Sequence, residues 1–337
     1  MMRDKRAVTI FDVARASGVS YSTVSRVLNG FAFVKESTRQ KVLNTAEKMG
    51  YVANLQARSL AGGKSQVIGL VIPNLDEGYV NSISSGIDEA LTKANYDLMI
   101  YTNKYGKEAK YVNSIIHGPS DGLILLVPLI PSSYLDTLRH KHFPHVLIDQ
   151  IDPSAQSSSI NSSNFQGAYE ATSYLISLGH RRIGFIGGIP EIHSAQERLK
   201  GYKQALSDHQ LAWDESLIQT GNFQHQLAYE NSQKLLNLSP PPSAIFASND
   251  LSAFGAMEAI RERGLNIPED ISLIGFDDIP QASISYPKLS TVRQPLKEMG
   301  KLAVEMLLAQ LEQKQSQPQQ VILTTKLVIR DSCKGLI

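Results

Sequence analysis

Between Tyr21 and Asn29 the segment YSTVSRVLN sorts its side chains by chemistry at a helical spacing. Val24, Val27 and Leu28 recur at i, i+3 and i+4, which predicts an inward stripe packed with Val13, Ala14 and Val19. That leaves Tyr21, Ser22, Ser25, Arg26 and Asn29 facing outward. Each of the five can donate or accept a hydrogen bond, and Arg26 can bridge the O6 and N7 atoms of a guanine. A solvated helix face is also polar, but it is built of lysines and glutamates. Here short hydroxyl and amide groups surround one arginine and there is no acid. The chemistry such a face offers is the reading of base edges in a DNA major groove.

A second set of polar residues stands directly after apolar runs. Asp149 follows HVLI, Asn249 and Asp250 follow AIFAS, and Asp277 and Asp278 follow SLIGF. Ligands of doubly wound sheets lie beyond the carboxyl ends of strands. Carboxylates accept hydrogen bonds and amides both donate and accept, so this inventory suits a ligand with several hydroxyls. Asp250 and Asp278 read better as helix caps than as ligand groups.

The outward face needs a compact scaffold, and the first fifty-odd residues supply three short helices. Thr9 with Asp12 three residues on makes a capping box, Gly18 stops the first helix, and Ser20 caps a second from about Tyr21 to Leu28. The third is expected from about Thr38 to Met49, with Val42, Leu43, Ala46 and Met49 on one face and Gly50 at its end. Two short helices joined by a glycine-containing turn form a helix-turn-helix. Residues 54–61, NLQARSLA, are too few to hold a helix alone, so a partner must set their state. Asn54 could cap such a turn, Arg58 could meet a phosphate, and Leu60 could wedge between base steps from the minor groove. An ordinary linker with one leucine packed on its neighbour is the alternative.

After Gly62-Gly63 the texture changes. Runs of β-branched and aliphatic residues, VIGLVI (67–72), YDLMIY (96–101), GLILLV (122–127), HVLI (145–148), RIGFIG (182–187), AIFA (244–247) and SLIGF (272–276), alternate with helix-length stretches. Continuous apolar strands imply parallel sheets covered on both faces. The expected fold is α/β: an N-terminal three-helix helix-turn-helix head plus hinge, then a body of two doubly wound parallel-sheet subdomains. The expected divisions are 1–53 for the DNA-binding domain, 54–63 for hinge helix and linker, and 64–337 for the effector and dimerisation domain. Within the last, one subdomain takes about 64–163 and 294–323, the other about 164–293 and 324–337. The polar segment DPSAQSSSINSSN (152–164) marks the boundary, and the glutamine-rich QKQSQPQQ (313–320) is expected to be a surface loop.

Charge follows the same division. Residues 1–64 carry 11 Lys and Arg against 4 Asp and Glu, while the whole chain nets only +1, so a basic head precedes a mildly acidic body. That asymmetry suits a polyanionic partner. A single cysteine, Cys333, closes no internal disulfide and supplies no Cys-based zinc site. No apolar run approaches membrane-spanning length, and no signal peptide opens the chain, so a cytoplasmic location is expected. An enzyme has little to stand on. GGKS (62–65) lacks the glycine a phosphate loop requires, since that position is Arg58. There is no HExxH and no GxSxG, and His140 and His142 lie in a Lys-rich surface stretch. No metal and no cofactor is expected.

With these parts assembled, the chain resembles the LacI/GalR family of bacterial transcription regulators over essentially its full length. The head VTIFDVARASGVSYSTVSRVLNG and the run TRQKVLNTAEKMGYVANLQARSLAGGKS are similar to the family's DNA-binding segment, with Ala53 where proline is usual. SLGHRRIGFIGG, ERLKGYKQAL, AIFASND, IPEDISLIGFDDIP and LSTVRQPLKEMG resemble successive family blocks in order. The resemblance implies a homodimer on a near-palindromic operator, probing bases with Tyr21, Ser22 and Arg26 and intercalating Leu60. It implies a body like periplasmic sugar-binding proteins, holding a small sugar-like effector between subdomains. The absence of a long apolar run separately leads us to expect no membrane partner. The resemblance assigns Arg198, Asp277 and Asn249 to the effector, with Phe223 as a ligand-stacking aromatic, Tyr79 as the aromatic of the first loop of the N-terminal subdomain, and Asp149 as a further match.

Two departures touch the cleft: Ser162-Ser163 stands where an apolar residue and aspartate are usual, and Asp76-Glu77-Gly78-Tyr79 replaces Asn-Pro-Phe-Phe. A solute-binding protein for a sugar, or a regulator answering to a purine or a protein co-regulator, are the alternatives.

Overall fold

The computed structural model describes residues 8–28, 33–51, 65–75, 77–102, 116, 118–126, 132–314 and 317–336. The chain forms two compact units, Met1–Ser65 and Gln66–Ile337.

In the first unit, α1 (Ile10–Ser17), α2 (Tyr21–Leu28) and α3 (Glu36–Met49) enclose a small core of Val13, Ala14, Val24, Val27, Val42 and Ala46. Val19, Leu28 and Met49 close its edges. The caps explain where each helix stops. Asp12 Oδ2 accepts from the Thr9 backbone N–H at 2.9 Å while Thr9 Oγ1 accepts from Asp12 N–H at 3.4 Å, a reciprocal pair that satisfies otherwise orphaned donors. Gly18 and Gly50 end α1 and α3 at φ 65°, a backbone state that favours glycine. Ser20 Oγ accepts from Thr23 N–H at 3.2 Å at the start of α2. Two expectations for α3 need correction. It starts at Glu36, because its polar first turn carries no apolar period to detect. Leu43 is 39% exposed, since it sits one residue, about 100°, away from the Val42/Ala46 stripe.

The second unit holds two six-stranded sheets. Their strands are β1 (Val67–Ile72), β2 (Asp97–Thr102), β3 (Gly122–Leu126), β4 (His145–Ile148), β5 (Ser158–Ser162), β6 (Ile183–Gly187), β7 (Ile218–Thr220), β8 (Ala244–Ala247), β9 (Ser272–Asp277), β10 (Ser290–Arg293), β11 (Gln320–Leu323) and β12 (Lys326–Val328). The first sheet runs β11-β5-β4-β3-β1-β2 and the second β12-β10-β9-β8-β6-β7. Every pairing is parallel except β10 with β12. Among the described residues seven helices cover the faces: α4 (Gly78–Lys93), α5 (Ser132–His140), α6 (Asn164–Ser177), α7 (His193–Asp208), α8 (His225–Leu236), α9 (Asp250–Glu262) and α10 (Leu296–Leu311). The central strands β1, β3, β4, β8 and β9 are buried along their whole length, as continuous apolar runs require. Helices α4 and α10 approach at paired glycines. A Cβ on Gly86 would meet the Lys297 carbonyl oxygen at 2.1 Å, and one on Gly300 the Ile83 carbonyl oxygen at 2.3 Å.

The polar segment 152–164 contains β5, a buried strand of sequence SSINS. Its serines carry the hydrogen-bonding work that apolar residues avoid. Ser159 Oγ donates to Gln320 Oε1 at 2.6 Å, Ser158 Oγ accepts from Gln319 N–H at 3.2 Å, and His145 Nε2 lies 3.0 Å from Ser157 Oγ. Gln320, expected at the end of a surface loop, opens β11. The chain passes between the sheets after β5, after β10 and after β11. These crossings are tied side by side: Ser162 Oγ donates to Gln294 Oε1 at 2.5 Å, and Ser163 Oγ lies 3.0 Å from Thr325 Oγ1.

Candidate functional site

The carboxyl ends of both sheets converge on one cleft of about 720 Å³, counting its solvent-filled mouth. Asn74 enters from beyond β1 and Asp149 from beyond β4, while Phe223, Asn249 and Asp277 arrive from β7, β8 and β9. Tyr79 comes from the first turn of α4 and Arg198 from the second turn of α7. All six residues expected at an effector site, Tyr79, Asp149, Arg198, Phe223, Asn249 and Asp277, line this space. Ile189 and Ile192 add an apolar wall.

Arg198 is the buried centre of the arrangement. Its Nε donates to Asn164 Oδ1 at 2.8 Å and its Nη1 to the Ser248 carbonyl at 2.5 Å, with Asp277 Oδ1 3.6 Å away. The guanidinium lies 3.9 Å from the Phe276 ring centroid and 5.6 Å from that of Phe223. Partners from four elements fix one side chain, which gives the cleft a positive group that folding has already aimed.

The acids around it are placed as firmly. Gln294 Nε2 donates to Asp277 Oδ1 at 2.7 Å, and Ser194 Oγ donates to Asp149 Oδ2 at 3.0 Å. Burial raises the pKa of Asp277, offset by Arg198 and then by the Gln294 hydrogen bond. Burial likewise raises Asp149, again offset by Arg198. The Tyr79 hydroxyl is pushed well above its ordinary value by burial and then by Asp149 and Asp277, so the phenol keeps its proton. Backbone strain collects at the same strand ends, with φ of 58° at Asp149, 50° at Asn222, 61° at Phe223 and 120° at Asp277. A Cβ on Gly188 would meet the Phe223 ring at 2.1 Å, so only glycine lets that ring lie there.

Asn249 serves two structures at once. Its Oδ1 caps α9 by accepting from Ser252 N–H at 2.9 Å, and its Nδ2 donates to the Phe223 carbonyl at 3.3 Å. That leaves one amide N–H for a ligand. Neither Asp250 nor Asp278 is a cap. Asp250 accepts from Thr291 Oγ1 at 2.5 Å and from Ile279 N–H at 2.9 Å, cross-linking β10 and the turn after β9. Asp278 pairs with Arg293 and Arg330, each at 2.6 Å. Their positions beside a helix start suggested caps, but long-range partners took them. The supporting residues Asn164, Ser194, Ser248 and Gln294 escaped sequence reasoning. Gln294 follows a strand just as Asp277 ends one, and went unread because STVR is too short and polar to announce β10.

On the first unit, α2 turns Tyr21, Ser22 and Arg26 to solvent, with Ser25 half-buried. The Tyr21 ring stacks on exposed Phe11, centroids 4.9 Å apart and planes at 18°. Ser22 Oγ lies 2.9 Å from Ser20 Oγ. Phe11 was not among the expected contact residues, although its spacing from the α1 core stripe leaves it outside. Asn29, Asn54, Arg58 and Leu60 lie outside the described residues. Among the described residues no helix is long and apolar enough to cross a membrane, and no cluster of His, Cys, Asp or Glu is placed to hold a metal ion.

A helix-turn-helix unit followed by a two-sheet ligand-cleft body defines a class of regulators in which one part contacts DNA and the other a small molecule. Comparison with known proteins gives the family. Residues 9–54 match the model for bacterial regulatory proteins of the lacI family, and residues 172–333 match the periplasmic binding protein-like domain. A probable HTH-type transcriptional repressor ExuR of Bacillus subtilis is 34% identical, over 98% of this chain and 99% of its own length. Catabolite control protein A of Priestia megaterium is 33% identical, over 97% and 99%. Among solved structures, the Lac repressor dimer bound to operator and the anti-inducer ONPF superposes with a TM-score of 0.86 at 28% identity, covering 98% of this chain and 100% of that one. The transcriptional regulator CelR in complex with cellobiose gives 0.76 at 28% identity, covering 96% and 99%. The chain belongs to the lacI family: it is a DNA-binding transcription regulator and not an enzyme.

Proposed function

We propose that this regulator is a cytoplasmic repressor that binds a near-palindromic operator as a homodimer and answers to a sugar-like effector in the cleft. Tyr21, Ser22, Ser25, Arg26 and Asn29 read base edges, while Asn54, Arg58 and Leu60 form a hinge that engages phosphate and the minor groove. Tyr79, Asp149, Arg198, Phe223, Asn249 and Asp277 hold the effector. The functional divisions are 1–53, 54–63 and 64–337, the last split into subdomains at about 163, 293 and 323. The single observation that carries the effector reading is the convergence of six residues, chosen by strand end and resemblance, on one cleft. Solved relatives with cellobiose or ribose bound support a sugar, and a Lac repressor dimer on its operator supports the dimer.

Coupling needs only that open and closed arrangements of the body position the hinge segments differently. A ligand that favours one arrangement then shifts the DNA-competent population. The test is selection of duplexes from a randomised library by the full-length protein, followed by affinity measurements across salt. A preferred two-fold sequence with affinity falling steeply as salt rises is expected, because basic residues displace counterions from phosphate. No preference over random competitor, or a flat salt response, would end the DNA reading.

A further inference from the structure

A second cavity, of about 870 Å³ counting its open mouth, lies at the opposite end of the first sheet, against the amino ends of β4 and β5 and just ahead of β11. Its charge differs in kind from that of the cleft. The cleft lining holds Glu77, Asp149 and Asp277 against one arginine, whereas among the described residues lining this cavity there is no acid. Arg139, His142 and His145 line it together with Gln156 and Ser157, and Leu138, Phe143 and Pro318 add apolar wall.

Arg139 keeps donors in reserve. Its Nη1 donates to Asp152 Oδ2 and to Ser154 Oγ, each at 2.5 Å, and its Nη2 donates to Asp136. A guanidinium has five N–H groups, so the Nε–H and one Nη2–H remain. The charge of Asp152 is shared with further donors, the Ser154 and Gln156 backbone N–H groups at 3.0 and 3.2 Å and the Ser154 hydroxyl at 2.7 Å.

His145 is buried and wired for a proton. Its Nδ1 lies 2.8 Å from the Phe143 carbonyl oxygen, which only accepts, so Nδ1 carries hydrogen whether the ring is neutral or charged. Its Nε2 lies 3.0 Å from Ser157 Oγ, and Ser157 is also a side-chain hydrogen-bond partner of Asp152. A hydroxyl has one proton. While the ring is neutral, Ser157 donates to Nε2; once Nε2 is protonated it donates to Ser157 Oγ, and the hydroxyl turns to Asp152. Every acceptor that the charged ring needs is already in place. Burial, foremost, holds the imidazole below its ordinary pKa, the Phe143 carbonyl and Asp152 favour its charge, and Arg139 opposes it. No other ionisable group faces it from the packed elements: β3 presents Leu123, β5 presents Ser157 and Ser158, and α10 presents Gln310, while His142 stands at the mouth.

We propose that this cavity is a second ligand site, taking a small organic anion that presents a carboxylate or phosphate group, and that binding draws one proton from solvent onto His145. The anion's charge offsets the cost of burying the imidazolium. The site is independent of the cleft reading. Gln310 holds both the N–H and the carbonyl of His145, at 3.1 and 3.2 Å, from the far end of the helix that begins after the Gln294 passage. The strands are parallel, so β1 also begins at this end, two places from β4 in the sheet and about 10 Å away at the usual strand spacing.

The experiment is calorimetric titration of the full chain from about pH 8 to about pH 6. Malate is the carboxylate probe, sulfate stands in for phosphate, and glycerol is the neutral control; neither anion changes its own charge in that range. At least one anion is expected to bind at millimolar concentration, glycerol to fail, and affinity to rise as pH falls, by at most about ten-fold per pH unit for one linked proton. Gln156→Glu sets an acid at the exposed edge of the cavity and should weaken anion binding at least about ten-fold with melting unchanged. His145→Gln should flatten the pH dependence, and His142→Gln should not. The proposal is overturned if neither anion binds, if glycerol binds as well as they do, or if Gln156→Glu binds as the parent does, which places the anions on the basic head. It is likewise overturned if the slope survives His145→Gln.

Discussion

Both the outward face of α2 and the cleft of the body are polar, but only the cleft is held in place by the rest of the fold. Tyr21 leans on Phe11, Ser22 shares a contact with Ser20, and Arg26 is exposed. In the cleft Arg198, Asp149 and Asp277 are buried and receive partners from other elements. On the proposed reading, side chains of the first kind would gain their main partners only when a duplex arrives. Those of the second kind are ordered during folding. Substitutions should therefore separate: affinity without stability in the head, stability together with response in the body.

The harshest way to break that contrast is Arg198→Ala. It strips a buried cation from Asp277 and Asn164, and should lower the stability of the body by about 3–5 kcal/mol, read as the urea midpoint. An unmoved midpoint would mean that the cluster is not held as the fold indicates. Arg26→Ala should weaken operator binding by about 1–3 kcal/mol while the melting temperature stays put. If melting shifts instead, Arg26 belongs to the head's structure.

A pH series sharpens the comparison further. Asp149, Asp250 and Asp277 have folded-state pKa values raised by burial, so between the ordinary value of 3.8 and the raised ones the folded chain binds more protons than the unfolded. The stability they contribute is present at the acid side of that window and is lost as pH rises through it. The urea midpoint of the body should fall from about pH 5 to about pH 8, and Asp277→Asn should make the slope shallower. Asp152 acts oppositely. Burial works against its lowering, but hydrogen bonds from Ser154, Ser157 and Arg139 pull it down to about 2, so its contribution is lost as pH drops below about 4. The smallest effect is expected from Thr9→Ala, about 1 kcal/mol of head stability through loss of the capping box. Circular dichroism melting would detect it, and no change would place the start of α1 elsewhere.

Much of the fold was legible where local chemistry and final structure agree. The Thr9/Asp12 box, Gly18, Ser20 and Gly50 bounded the head helices, and apolar runs located β1, β4 and β8 residue for residue. What hid from sequence was polar and long-range. β5 reads as a linker because its serines face partners 132 to 161 residues away. The cleft acids were legible because they sit at strand ends, but the division of labour among them was not. Asp250 and Asn249 are adjacent in sequence, yet one cross-links β10 and the other caps a helix while facing the ligand space. That outcome depends on Thr291 and Ile279 arriving from elsewhere.

The side-by-side fastening of the three inter-sheet passages restricts what a ligand can do. Ser162 grips Gln294 and Ser163 grips Thr325, so the three passages between the sheets are fastened to one another, and a hinge built from them is predicted to bend as one strap and to resist twisting. On the proposed reading of the cleft as the effector site, a bound molecule would then set little more than one angle. Different occupants would differ in how far they drive the same motion, so weak and strong effectors should rank along a single scale of output.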